Sequence, residues 1–535
     1  MSARNAFALF LAVSTLGLLV GCGSSSPTPV APPSGGFGLS NLSGTYVFSS
    51  TGSDSTGTFL TMTGSLAANG SGGITGGTVD VLDLQVPPTS PIAQPITGGT
   101  YSVSADGRGQ IHFNTTLNNS NGTPQAITFT LDFVLTSSSH GLVTEYDANG
   151  TGSGTIDLQS TVTQSQIASS YAYGVSGAGS SGSPLALVGA MTLGSTGSVT
   201  TGIEDINNDS IAATGPGGIA LSTSSYVTLG ATPGTALIAS SSGTFSFDVY
   251  PIDNTHLKFI ENDRLNLVSG DMYTQGASIA SGQLVYTMAG SETNTGTTLP
   301  IDVGGWLTNA GGTITTGEED FNDGGTVGLG LPVSTSAFAT LTAGRSTLTL
   351  NGFVNGAPNE LPGTYTFAAY PFAYSGGTGI QLLEIDNAGV TSGAAYPQTS
   401  TSLATPPQGY GFNLSGFNSN GEEDDIAEFV TTTTGFSGIV DLNTQTALTP
   451  GGALDGSFTA PDGNGVGSGT TTNYIGSFNF YVANPTTYLV LETDNGEVGI
   501  GTFEQQGSPS AGGVQGPVSL FRPVVRAHTA LKRHQ

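Results

Sequence analysis

Large apolar residues alternate with small or polar residues at the start of four similar stretches of this chain. In the first, Leu42, Tyr46 and Phe48 alternate with smaller or polar neighbours. A period of two is typical of a β-strand with one buried face. The pattern predicts starting strands at 42–48, 167–173, 279–286 and 408–412.

A glycine-rich turn that leads into a short acidic strand follows each of these starts. The acidic residue is an aspartate, and in three of the four copies an asparagine stands two positions later, whereas the first copy has Leu82 there. The copies are Asp80, then Asp205 with Asn207, Asp320 with Asn322, and Asp441 with Asn443.

A third repeated feature is an apolar run that ends in Glu-x-Asp. Its spacing of about 110 to 120 residues is that of a small domain rather than of a solenoid repeat. The four copies are Glu145 and Asp147, Glu261 and Asp263, Glu384 and Asp386, and Glu492 and Asp494.

Together these features predict an all-β protein of four tandem antiparallel modules, each of about eight short strands. Such strands can close as an up-and-down barrel or pack as a β-sandwich, and closure would remove exposed edges. We predict a signal peptide over 1–22, a Pro/Ser/Gly tether over 23–40, modules over 41–160, 165–275, 278–398 and 405–505, and a linker with a basic tail over 506–535.

The composition narrows the choice of partners. The chain has 535 residues, of which only 9% are charged, and its formal net charge is -28. A protein this acidic is not expected to bind nucleic acid, because binding a phosphate backbone needs a basic surface. Cations, neutral glycans and basic proteins remain as possible partners.

The only cysteine, Cys22, follows an early apolar run and ends the tetrapeptide Leu19-Val20-Gly21-Cys22. This tetrapeptide resembles the lipobox of bacterial lipoproteins. The resemblance implies cleavage before Cys22, attachment of acyl chains such as palmitate, and membrane anchoring. It also implies an extracytoplasmic protein of the outer membrane or cell surface. With a single cysteine, the chain can form no internal disulfide.

The repeated motifs extend this resemblance to all four modules. The mature chain is similar to uncharacterised repeat lipoproteins of acidobacterial-type genomes, which share its Gly-x-x-Asp-x-Asn turns and Glu-x-Asp strand ends. The modules themselves resemble small lipocalin-like barrels. These resemblances imply a location and carry over no catalytic residue.

The repeated carboxylates are candidate calcium ligands, since calcium takes six to eight oxygen ligands. If the acidic turn lies beside the Glu-x-Asp end, each module supplies about four such ligands. The alternative is structural, because an aspartate before a turn commonly accepts the N–H groups of that turn. The candidates are Glu145, Asp147, Glu261, Asp263, Glu384, Asp386, Glu492, Asp494, Asp205, Asn207, Asp320 and Asn322.

Catalysis is not predicted. The same carboxylate pair occurs four times, whereas a glycoside hydrolase needs one site, and the five histidines show no metal-ligand spacing and no matched repeat position. We therefore predict a non-catalytic, lipid-anchored repeat protein that is structural, adhesive or ligand-binding, with a glycan or another surface protein as partner. The alternatives are a carrier of small apolar ligands inside the modules and, third, a glycan-active hydrolase.

Overall fold

A computed structural model describes residues 36–86, 92–119, 121–209, 211–213, 217–230, 232–294, 297–351, 364–386, 388–445 and 447–507. These residues belong to one compact unit. Cys22, most of the predicted tether and the basic tail lie outside them. The helices among them are two short 3₁₀ segments, Leu39–Asn41 and Gln164–Ile167, and neither has the length and apolar character needed to cross a membrane.

Module 1 is a closed antiparallel barrel. The strand order is β2-β1-β9-β8-β7-β6-β5-β3-β4, and pairing of β2 with β3 closes it. The strands are β1 (Ser43–Asp54), β2 (Phe59–Asn69), β3 (Gly73–Asp83), β4 (Gln94–Ile96), β5 (Gly98–Val103), β6 (Arg108–Asn118), β7 (Pro124–Leu135), β8 (His140–Tyr146) and β9 (Gly150–Leu158).

Module 2 forms a sheet of ten strands with the same antiparallel succession. Its path is β13-β12-β11-β10-β19-β18-β17-β16-β15, with β14 on β12, and single bridges from Ser198 to Tyr226 and from Leu221 to Ser240 join its two ends. The strands are β10 (Ser170–Ala178), β11 (Pro184–Leu193), β12 (Val199–Asn208), β13 (Ile211–Ala213), β14 (Ile219–Ala220), β15 (Tyr226–Thr228), β16 (Gly234–Ser240), β17 (Gly243–Pro251), β18 (His256–Glu261) and β19 (Leu267–Thr274).

Module 3 repeats the closed barrel of module 1. Its order is β21-β20-β28-β27-β26-β25-β24-β22-β23, and β21 pairs with β22 to close it. The strands are β20 (Gly282–Asn294), β21 (Thr297–Ala310), β22 (Thr313–Asp323), β23 (Thr326–Pro332), β24 (Ser334–Phe338), β25 (Ser346–Asn351), β26 (Thr364–Tyr374), β27 (Gly377–Glu384) and β28 (Gly389–Pro397).

Module 4 is a closed barrel of eight strands in simple sequence order. The strands are β29 (Gly409–Asn418), β30 (Gly421–Thr431), β31 (Gly435–Thr444), β32 (Ala447–Phe458), β33 (Val466–Thr471), β34 (Ser477–Asn484), β35 (Thr487–Glu492) and β36 (Glu497–Gln505). The prediction of an all-β chain of four antiparallel modules is thus confirmed. Of the two predicted architectures, modules 1, 3 and 4 adopt the barrel.

The alternation read from the sequence separates the barrel interior from the outer face. Along β1, Tyr46 and Phe48 belong to the core of module 1, whereas Val47 between them packs in an apolar cluster shared with module 2. Successive strand residues point to opposite faces, so one strand serves both surfaces. Each of the four modules has its own apolar core of this kind.

The outer faces join the modules in a closed cycle. One apolar cluster joins modules 1 and 2 and includes Tyr250 and Leu267. A larger one contains residues of modules 2, 3 and 4. A small cluster of Val134, Leu142 and Ile426 joins module 1 to module 4. The last module therefore packs against the first.

Candidate functional site: the junctions between modules

The repeated asparagines lie at three of the four junctions, and each bonds to the Glu-x-Asp hairpin of the next module. Asn207 of module 2 donates through Nδ2 to the carbonyl oxygens of Glu384 (2.9 Å) and Gly389 (2.8 Å) in module 3. Asn443 of module 4 donates in the same way to those of Glu145 and Gly150 in module 1, both at 2.7 Å. The two sequence motifs therefore meet, but each meeting joins two modules.

The junction of modules 3 and 4 carries the densest set of these bonds. Nδ2 of Asn322 lies 3.2 Å from the carbonyl oxygen of Glu492, 2.9 Å from that of Asp494 and 2.7 Å from that of Glu497. Asn322 is fully buried. Because buried carbonyl groups need donors, this one side chain satisfies polar groups that the hairpin of module 4 presents to its neighbour.

The junction of modules 1 and 2 explains why the first repeat departs from the motif. Leu82 stands where the other copies have asparagine, and it is fully buried in the apolar cluster with Val47, Ile260 and Leu267. This junction is therefore held by apolar packing at the position where the other three use hydrogen bonds.

The aspartates of the acidic strands also bond across junctions. Tyr370 donates its hydroxyl to Asp205 (2.7 Å), and the Arg345 guanidinium reaches the same carboxylate at 2.6 and 3.0 Å. At the next junction, Tyr481 donates to Asp320 at 2.6 Å. The first junction follows the same pattern, since Tyr250 donates to Asp80 at 2.5 Å.

The aspartates of the Glu-x-Asp motif accept backbone N–H groups of the turn that follows each strand and, in three modules, of the neighbouring strand. Asp147 accepts from Thr130 and Asn149, both at 2.7 Å. Asp386 accepts from Thr366 (2.7 Å) and Ala388 (3.1 Å). The other two accept in the same way, Asp494 from Ser477 (3.1 Å) and Gly496 (2.7 Å) and Asp263 from Leu265 (3.0 Å).

The glutamates of the motif are buried inside their barrels. Glu384 accepts from the N–H groups of Gly389 (2.9 Å) and Thr391 (3.1 Å) and from the Thr391 hydroxyl (2.8 Å). Burial, followed by the nearby Asp386, raises the pKa of Glu384 well above its usual value. Burial and Asp263 raise that of Glu261 to about 9. Burial therefore makes ionisation of these two side chains less favourable than in water, which is what their raised pKa expresses.

The junctions contain backbone and side-chain oxygens of the kind that bind cations. In the structure these oxygens accept hydrogen bonds from other groups of the protein. Among the described residues, no three histidine, cysteine, aspartate or glutamate side chains are grouped so that they could hold a metal ion. Calcium binding by the repeated carboxylates stays a prediction. What the geometry provides is a set of hydrogen bonds that join each module to the next.

Sequence reasoning missed a buried polar cluster, which we call the central cluster. It consists of His140, Asp157, His256, Lys258, Asp271 and Glu504, contributed by modules 1, 2 and 4 and all buried. His140 and His256 each stand five positions before the glutamate of their Glu-x-Asp motif. The statement that no histidine occupies a matched repeat position was therefore wrong, and alignment on the glutamates would have found the match.

His140 joins the first and last modules within this cluster. Its Nδ1 lies 2.6 Å from Oδ1 of Asp157, and its Nε2 lies 3.1 Å from Oε2 of Glu504. Burial alone would lower the pKa of His140, but the carboxylates of Glu504 and Asp157 outweigh it and raise the pKa to about 10. His140 is therefore an imidazolium at neutral pH, between two carboxylates.

The second half of the cluster belongs to module 2. Asp271 accepts from Nε2 of His256 at 2.6 Å and from Nζ of Lys258 at 3.0 Å. The His256 ring stacks on Tyr273 with a centroid distance of 4.2 Å. Burial, and after it the neighbouring Tyr374, Asp271 and Glu504, raises the pKa of Tyr396 in module 3 well above its usual value. Tyr273 also packs on Phe372 of module 3, with ring centroids 5.1 Å apart, so all four modules meet around the central cluster.

We expect Asn322→Leu to lower the free energy of unfolding by about 3 kcal/mol, because the carbonyl groups of Glu492, Asp494 and Glu497 lose their donor while the number of non-hydrogen side-chain atoms is kept. Urea unfolding measures this loss. The control is Asn420→Leu, at an exposed turn position, which should change stability by less than about 0.5 kcal/mol. Equal effects of the two substitutions would show that the junction bonds contribute little.

Comparisons with protein-family models and with curated protein sequences find no match for this chain.

Proposed function

We propose that this chain is a non-catalytic, lipid-anchored scaffold of the outer membrane or cell surface, which presents the outer faces of its four modules to a glycan or to another surface protein. The observation that supports it is the closed cycle of junctions. The asparagines and aspartates of the acidic strands, which would be natural candidates for repeated active sites, bond neighbouring modules to one another instead.

The filled barrels support the same proposal. Each module has an apolar core that includes large side chains such as Tyr46, Tyr171, Tyr286 and Tyr410, all at most 1% exposed. Carriage of an apolar ligand inside a barrel needs free interior space, so these cores favour a role for the outer surfaces. Several modules in one compact unit would also let weak contacts act together.

Metabolic labelling of the full chain in a Gram-negative host tests the anchoring. We expect radiolabelled palmitate to enter the wild-type chain and to be absent from Cys22→Ser, whereas Ser24→Ala, two positions away, keeps the label. Protease added to intact cells should degrade the wild-type chain. Label retained by Cys22→Ser, or a wild-type chain found only in the soluble fraction, would contradict the proposal. Hydrolysis of glycoside substrates by the purified chain would contradict its non-catalytic part.

A further inference from the structure

The mouth of barrel 1 holds an open cavity of about 280 Å³. It lies where the ends of β1, β3 and β6 meet the turn between β8 and β9, and Arg264 of module 2 reaches its wall. None of the residues predicted from the repeats lines it. Mouths of β-barrels are a common position for small-molecule sites, and the volume lies just below the range of about 300–1,000 Å³ for such sites.

The floor of the cavity is apolar and is formed by Leu60, Val81, Leu117, Ile127 and Phe129. These side chains belong to, or pack against, the core of module 1. Phe129 is fixed by packing on Phe113, with ring centroids 5.5 Å apart. A rigid apolar and aromatic floor suits the C–H face of a ligand.

The rim of the cavity is polar. Asp54 is held by the N–H groups of Thr56 (2.8 Å) and Thr58 (2.9 Å), by both threonine hydroxyls and by Nε2 of Gln85 (3.0 Å). Around it stand three further amide side chains, Asn118, Asn119 and Asn149, together with Asp83 and Arg264. Planar amide, carboxylate and guanidinium groups can each donate to or accept from adjacent hydroxyl groups.

We propose that this cavity binds a neutral saccharide, as a free sugar or as the end of a glycan. The apolar floor would receive one face of the sugar ring and the polar rim its hydroxyl groups. This inference rests on the glycan-binding role proposed above and adds to the outer faces a site at the mouth of one barrel. The cavity belongs to the folded modules, and its occupation needs no lipid.

Other ligand classes fit the same residues less well. An anion in the cavity would lie near the carboxylates of Asp54 and Asp83, and Arg264 is the one arginine among the described lining residues that could offset them. The whole chain, with a formal charge of -28, would also repel it. A purely apolar ligand would cover the polar rim without bonding to it, which costs free energy. A calcium ion needs six to eight oxygens, many of them from carboxylates, and the described residues of the lining supply two carboxylates, Asp54 and Asp83.

The residues that line the cavity are only partly shared by the other modules. Leu60 of its floor pairs with Gly52 on β1. The matching ladder position of module 4 pairs Gly416 with Glu423, so a carboxylate stands where barrel 1 has leucine. Modules 2 and 3 keep an apolar residue at this position, since Leu185 pairs with Gly177 and Ile301 with Gly290. The polar rim is less well preserved, because Asp54 is matched by Glu292 in module 3 and by Asn418 in module 4. We therefore expect one binding site per chain.

Calorimetric titration of the full chain, purified in detergent, tests the proposal. The probes are D-glucose, D-galactose, D-mannose, N-acetylglucosamine and polysaccharides that end in each of them. We expect one of these sugars to bind at one site per chain, and Gln85→Ala to weaken it about tenfold, because it removes a rim hydrogen bond. Gln125→Ala, an exposed glutamine of the same barrel outside the cavity, should leave the affinity unchanged.

The other outcomes of this titration identify the source and the class of the ligand. Binding of the polysaccharide but not of its free sugar would assign the site to a glycan end, and the reverse to a free sugar. Absence of binding by every probe to a chain with wild-type melting temperature would overturn the proposal. So would binding that Gln85→Ala and Asp83→Asn both leave unchanged. We expect Cys22→Ser, which lacks the proposed acylation site, to bind the sugar as tightly as the wild-type chain. Failure of sugar binding can then be distinguished from failure of the anchoring test.

Discussion

His140→Ala is expected to lower the free energy of unfolding by about 3–5 kcal/mol, which is the range for breaking a buried ion pair. The imidazolium lies between Asp157 of module 1 and Glu504 of module 4. Its removal would leave two buried carboxylates without their partner at the point where the cycle of modules closes. Urea unfolding and differential scanning calorimetry of the full chain measure the loss.

His112→Ala is the matched control for this prediction. His112 is a partly buried histidine on β6 of the same barrel, and its Nδ1 lies 3.0 Å from the Thr130 hydroxyl. We expect it to cost less than about 1.5 kcal/mol, as for a single neutral hydrogen bond. Adding Asp157→Asn and Glu504→Gln to His140→Ala should recover part of the stability, because the unpaired charges are then gone. A loss no greater than that of His112→Ala would contradict the role given to the central cluster.

Stability of the folded chain is expected to fall as pH rises from about 5 to about 10. Burial is the main cause that raises the pKa of Asp80 and of Asp132 to about 7, that of Glu428 to about 8 and that of Glu261 to about 9. A group whose pKa is raised by folding stabilises the fold fully below its unfolded value, and this contribution is lost as pH rises through the folded value. His140, raised to about 10, acts in the same direction.

The size of this effect follows from the individual shifts. For Asp132, a rise from 3.8 to about 7 corresponds to on the order of 4 kcal/mol between pH 4 and pH 8. Calorimetric scans between pH 5 and pH 9 should show the melting temperature falling by more than about 5 °C.

Asp132→Asn tests whether the pH dependence of stability comes from the buried carboxyl groups named above. The substituted side chain cannot ionise and can still accept from Nε2 of Gln110, which lies 2.7 Å from the Asp132 carboxylate, so the dependence on pH should become shallower. The same substitution at Asp462, an exposed residue in a hairpin turn, should leave the dependence as it was. A melting temperature that rises towards pH 9 would show that these carboxyl groups are not buried as the structure has them.

The fold was largely predictable because its signal is local. Alternating residues such as Tyr46, Val47 and Phe48 show the period of a strand within a few positions, and the recurrence of Glu-x-Asp divides the chain into modules. The capping role considered for Asp147, Asp386 and Asp494 is likewise local, since each accepts N–H groups of its own turn or of the neighbouring strand.

The contacts between modules were much less predictable. Asn207 and Asn322 were read as candidate ligands of their own modules, yet their bonds go to carbonyl groups 170 or more residues away in sequence. The match between His140 and His256 was present in the sequence, but the contact of His140 with Glu504 depends on how the first and last modules pack. The cavity of barrel 1 leaves no repeated signature, since its wall includes Arg264 from another module.

The sequence by itself determined the strands, the number of modules and which residues of each strand share a face, because a side-chain period of two is a property of the extended backbone. It left open what the outward faces would touch. The tertiary structure decided that barrels form, that the fourth packs on the first, and that the repeated polar side chains bond across junctions. Those choices depend on burial between surfaces far apart along the chain, where each buried polar group requires a partner that the local sequence does not specify.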